Sequence, residues 1–70
     1  MPESTYKIIE LVGTSSTSWA EAAKAAVELA GKSLRDLSVA EVVKLDMTVE
    51  DGKVSSFRAR VNVSFKYHGE

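Results

Sequence analysis

The chain has 70 residues, 44% of them hydrophobic, with no cysteine, one histidine and a formal net charge of −1 at pH 7. That composition excludes disulfides and thiolate or multi-histidine zinc sites, and Lys and Arg are spread along the chain without the basic footprint of a nucleic-acid binder. A lone domain of this length buries only about 60% of its unfolded surface, so self-association is the expected remedy. No apolar run approaches the roughly 20 residues of a membrane span, and "MPESTYK" lacks the apolar core of a signal peptide. The sequence therefore predicts one domain over residues 1–70, cytoplasmic, with neither nucleic-acid nor membrane partners, in which any metal takes oxygen ligands.

"STYKIIELVG", residues 4–13, is rich in β-branched and aromatic residues and ends at Gly13, the pattern of a strand entering a loop. The polar loop "GTSSTS" leads into "SWAEAAKAAVELAGKSL", where Ser18 and Glu21 form a capping box that starts a helix. Trp19, Ala22, Ala23, Ala26, Val27 and Ala30 recur on one helical face. Glu21, Lys24, Glu28 and Lys32 lie on the other, with Glu28 and Lys32 spaced for an ion pair. A face made mostly of alanine lets a helix approach a sheet closely. Gly31 weakens the last turn by up to about 1 kcal/mol without ending it.

Two further strands are joined by "EDGK", where Asp-Gly supplies the positive φ of a hairpin turn. In the last strand Phe57, Ala59, Val61, Val63, Phe65 and Tyr67 alternate with Ser56, Arg58, Arg60, Asn62, Ser64 and Lys66, so the first set is expected to face the helix. The preceding strand carries Glu41, Lys44 and Asp46 among Val39, Val42, Val43, Leu45 and Met47. If Val43, Leu45 and Met47 share the core face, a plain two-residue turn gives the wrong parity, and a bulge or a three-residue loop is expected near Gly52. That register sets Asp46 against Arg58 and Lys44 near Arg60, on the face away from the helix. Strands of this length overhang the helix, and their other face needs a cover, most economically a second copy.

"YKIIELVGTSSTSWAEAA", "LRDLSVAEV" and "DGKVSSFRARVNVSFK" resemble the dodecins over nearly the whole chain, most specifically in "YKIIELVGTS". The resemblance implies an α+β fold: a β-α-β-β protomer with an antiparallel three-stranded sheet partly wrapped around one helix, twelve copies of which form a hollow spherical homododecamer. It also implies a non-enzymatic flavin binder for riboflavin or FMN, in which a tryptophan stacks on the isoalloxazine ring at a subunit interface. The flavin-equivalent positions are Val39, Asp46, Arg58 and Lys66. Here Val39 and Ala40 stand where the family carries Trp-Phe, Asp46 and Met47 where it often carries Arg and Gly, and Arg58 where it carries a glutamine. Valine supplies no stacked ring.

For Glu41 and Asp46 two readings stand. One is a calcium or magnesium site of carboxylates and carbonyls at a subunit contact; the other is an Asp46–Arg58 ion pair filling the vacated pocket. "DMTVEDGK" lacks EF-hand spacing, and Asp51 reads as a turn residue. Arg58, Arg60 and Lys66 read either as an anion site or as partners of Glu41, Asp46 or Glu10. Trp19 reads as packing at the helix start, the hydroxyls of "GTSSTS" as caps and solvated loop, and His68 as surface tail. No nucleophile–base pair is visible. The sequence thus predicts a homododecameric binder of a divalent cation, most readily calcium. The alternatives are a flavin-storing protein of weakened affinity and a scaffold without ligand.

Overall fold

The computed structural model describes residues 3–67 and forms strand β1 (Tyr6–Ser15), helix α1 (Trp19–Ser33), strand β2 (Leu37–Glu50) and strand β3 (Lys53–Lys66). All pairings are antiparallel and the sheet order is β1-β3-β2, so the strand with the cleanest alternation takes the centre. Its Ala59, Val61 and Val63 are at most 1% exposed and pack on Ala22, Ala26 and Ala30 of α1. Ile9, Leu11, Val27, Leu34 and Leu37 close round this small core.

The first strand does not stop at Gly13. It runs on to Ser15, because Gly13 serves a close approach and not a turn. A Cβ there would lie 2.0 Å from the Ala22 carbonyl oxygen, so only a missing side chain lets α1 cross β1 at this depth. The connection is correspondingly short. Ser15 Oγ accepts the backbone N–H groups of Thr17 at 2.9 Å and Ser18 at 3.4 Å. Ser18, extended at φ −165°, caps the helix by accepting the Glu21 N–H at 3.1 Å, as the capping box predicts. Glu21 in the first turn and Lys32 in the last suit the helix dipole. Gly31 lies inside the helix, and Leu34 N–H closes its end on Ala30 O at 2.9 Å.

The hairpin keeps a two-residue turn, with positive φ at Asp51 (53°) and Gly52 (75°), between paired Glu50 and Lys53. The parity is restored by a register shift between Thr48 and Val49, so the expected irregularity is a bulge rather than a longer loop. Two more shifts, at Leu37/Val39 and Val42/Lys44, are not apparent from the alternation of β2. The second leaves Val43 unpaired and half-exposed, which brings Glu41 and Lys44, of opposite parity, onto the same face.

At about 3.3 Å per residue the 14-residue strands β2 and β3 are about 46 Å long, against about 22 Å for the 15-residue helix. The helix therefore covers only part of the sheet. Val39, Val42, Val43, Leu45, Met47 and Val49 of β2 stay between 44% and 63% exposed, apolar surface that a single chain leaves in water.

Candidate functional site

The register turns the face away from α1 into transverse rows. Thr14–Arg58–Asp46 is one row, followed along β3 by Val12–Arg60–Lys44, Glu10–Asn62–Glu41 and Ile8–Ser64–Val39, with Tyr6 beside Lys66 at the end. Lys44 and Asp46 thus occupy this outer face, as the parity argument requires, whereas Glu41, whose parity assigns it to the core face with Val43, joins them only through the shift at Val42/Lys44.

In the first row Arg58 grips Asp46 with both ends of its fork: Nε donates to Oδ1 at 2.7 Å and Nη2 to Oδ2 at 3.1 Å. This ion pair is the one anticipated from sequence. Its side chains are 37% exposed for Arg58 and 42% for Asp46. The hydrogen bonds from Arg58, helped by the charges of Arg58, Arg60 and Lys44, hold the Asp46 carboxyl below its ordinary 3.8 against a smaller desolvation effect. Hydrogen bonding to Asp46 and its charge raise Arg58 in turn.

Asp46 is anchored from the opposite side of the sheet as well. The Trp19 indole N–H donates to the Asp46 backbone carbonyl at 2.9 Å, and the Trp19 ring meets Phe57 edge-on, with centroids 5.1 Å apart at 69°. Trp19 is a packing residue at the helix start, as its position predicts, but it also fixes the strand that presents Asp46. No sequence signal pointed to that bond, because it joins residues 27 positions apart. Beyond Asp46, Thr48 Oγ1 shares 2.6 Å hydrogen bonds with the hydroxyls of Ser55 and Ser56 at the bulge.

The remaining candidate residues share the face without converging. Glu41 stands opposite Asn62 and Asp46 opposite Arg58, so four residues of β3, about 13 Å, separate them, with the basic row of Lys44 and Arg60 between. Glu41 is joined across Asn62 by Glu10, a grouping visible only once the pairing of β1 with β3 is known. Val39 and Lys66 lie about 20 and 26 Å from Arg58 along β3. Among the described residues no three Asp, Glu, His or Cys side chains gather to hold a metal, and neither Arg60 nor Lys66 pairs with Glu10, Glu41 or Asp46 within the chain. His68 lies outside the described residues. A cleft of about 310 Å³ between α1 and β1, lined by Ile9, Leu11, Val12, Leu29 and Leu34 with Ser33 as its one polar side chain, offers little to orient a polar ligand.

The model of the Dodecin family matches residues 5–68 of this chain. Calcium dodecin of Mycobacterium tuberculosis (strain ATCC 25618 / H37Rv) is 44% identical over 63 residues, which cover 90% of this chain and 89% of that relative. Its crystal structure, described as a calcium-chelating immunodominant antigen with a novel calcium-binding site, superposes with a TM-score of 0.82 over 96% of each chain. Dodecin of Streptomyces coelicolor superposes with a TM-score of 0.91 at 31% identity, covering all of both chains.

Proposed function

The chain belongs to the dodecin family, and from that premise we propose that it is a non-enzymatic calcium-binding protein assembled as a hollow homododecamer. The observation that carries this reading is the 44% identity to calcium dodecin over nine-tenths of the chain. The donors on the outer face fit a hard cation. Glu10, Glu41 and Asp46 supply carboxylates and Asn62 an amide oxygen, all hard ligands of the kind calcium takes six to eight of at about 2.3–2.6 Å. No single chain gathers enough of them among its described residues. Calcium is therefore held where copies meet, with Glu41 and Asp46 contributed by different subunits. Assembly also answers the apolar length of β2 that α1 leaves exposed, much of it on the helix side of the sheet, where Val42, Leu45 and Met47 stand opposite Val61, Ala59 and Phe57.

The flavin alternative has less support at this site. The position of the stacking ring is a valine, and the guanidinium at the polar position is engaged by Asp46. No helix among the described residues is long and apolar enough to cross a membrane. Calorimetry of chelator-stripped protein tests the proposal. Heat on adding calcium, at a stoichiometry set by subunit contacts, is expected, and no heat with calcium or magnesium refutes it. Native mass spectrometry tests the assembly: a twelve-subunit mass is expected, and a monomer or dimer removes the shared site.

A further inference from the structure

We propose that Arg58, Arg60 and Lys44 form an oxyanion site that the chain's own Asp46 occupies, and that calcium capture by Asp46 and oxyanion capture by these cations promote one another. The linkage rests on Asp46 serving as a calcium ligand; the oxyanion site does not.

Three cations and one carboxylate meet in adjacent rows, a local charge of +3 − 1 = +2. Lys44 and Arg60 face each other directly, at Cβ separations of about 4.5–5.5 Å, and Arg58 is two residues from Arg60 on the same face of β3. Both oxygens of Asp46 already accept from Arg58, at 2.7 and 3.1 Å. A divalent cation that takes this carboxylate as a bidentate ligand competes with the guanidinium for the same edge of the same two oxygens, and Arg58 swings away. At 37% exposure the arginine has room to do so. Its departure leaves three unneutralised cations side by side.

The vacated fork is shaped for an anion that presents two oxygens on one side, such as a carboxylate, sulfate or phosphate, and Thr14 opposite Arg58 adds a hydroxyl to the row. The exchange needs only side-chain motion. The Trp19 bond holds the Asp46 carbonyl, a backbone atom, and the strand stays in place while the carboxylate changes partner. The coupling is reciprocal by linkage: an oxyanion that takes Arg58 frees Asp46 for calcium, and calcium on Asp46 frees Arg58 for the oxyanion.

The test is calorimetry on the chelator-stripped full chain, with calcium titrated in sodium chloride, sodium sulfate and sodium acetate at matched ionic strength. The expected result is calcium binding at least about fivefold tighter in sulfate than in chloride, with Arg58→Gln abolishing the difference. Acetate acting like sulfate assigns the site to carboxylates as well, and sulfate acting alone assigns it to tetrahedral oxyanions. Independently of calcium, Asp46→Asn is expected to bind sulfate at least about fivefold more tightly than wild type, because the internal carboxylate no longer competes. If that variant does not assemble, Arg60→Gln serves in its place and should lose the sulfate effect on calcium. Equal calcium affinity in sulfate and chloride, with no sulfate gain in Asp46→Asn, overturns the proposal and leaves calcium binding standing. No calcium uptake in any medium overturns the linkage together with the calcium reading, whereas the sulfate gain of Asp46→Asn then still identifies the oxyanion site.

Discussion

Replacing Gly13 with alanine measures how closely the helix must approach the sheet. The added Cβ would sit 2.0 Å from the Ala22 carbonyl oxygen and 3.0 Å from both the Ala22 carbonyl carbon and the Ala26 Cβ. Contacts under 3.0 Å are essentially never tolerated by a real Cβ, so α1 and β1 must part by at least 3.0 − 2.0 = 1.0 Å. The obstacle is helix backbone, with no flexible side chain to yield. A gap of that size forfeits about a quarter to a half of each dispersion contact it opens, and it opens along Ala22, Ala26 and Ala30 against Ala59, Val61 and Val63. The expected loss is about 3 kcal/mol, at the upper end of overpacking costs. Urea unfolding followed by circular dichroism, with both proteins at one subunit concentration because association contributes to stability, reads it directly. Gly31→Ala is the control. Its Cβ meets only Leu37 Cδ1 at an ordinary 3.7 Å inside the helix, and a gain of about 0.5–1 kcal/mol is expected. If Gly13→Ala loses less than about 1 kcal/mol, the helix does not cross β1 at this depth and the account of the alanine face fails.

Trp19→Phe keeps a ring near Phe57 but removes the donor to the Asp46 carbonyl, and a loss of about 1 kcal/mol in urea unfolding is expected. An unchanged midpoint would show that water serves that carbonyl equally well. Asp46→Asn should change the acid limb of stability. With its folded value held below 3.8 chiefly by hydrogen bonding to Arg58, Asp46 contributes fully above that ordinary value, and its contribution is lost as pH falls through the lower folded one. The wild-type advantage over the variant should therefore shrink in acid, and an advantage independent of pH would exclude the ion pair as its source. Val39→Trp combined with Arg58→Gln should bring riboflavin binding, read as fluorescence quenching, through stacking worth about 0.5–1.5 kcal/mol beyond area burial. No quenching would mean that the surrounding shape has changed along with the two residues.

The order of strands and helix, the Ser18 cap, the alanine face and the core face of β3 were all legible in local sequence, because each follows from a period of two or 3.6 or from a hydrogen bond between near neighbours. Parity carried the reading further. It set Asp46 against Arg58 and Lys44 against Arg60 from the alternation of two strands and one Asp-Gly turn. What remained hidden depends on separations that local pattern does not encode. Gly13 read as the end of a strand, since its role is a contact with a carbonyl of Ala22 that only the packed helix supplies. Nothing in the spacing of Glu41 and Asp46 revealed that a bulge at Val43 brings both to one face while a basic row holds them about 13 Å apart. Nor could Glu10 be joined to Asn62 and Glu41 before β1 was known to pair with β3. Local chemistry determined which elements form and which face of each is apolar. The tertiary pairing decided which charges meet, because distances between side chains on different strands are set by register, bulges and the depth of helix packing.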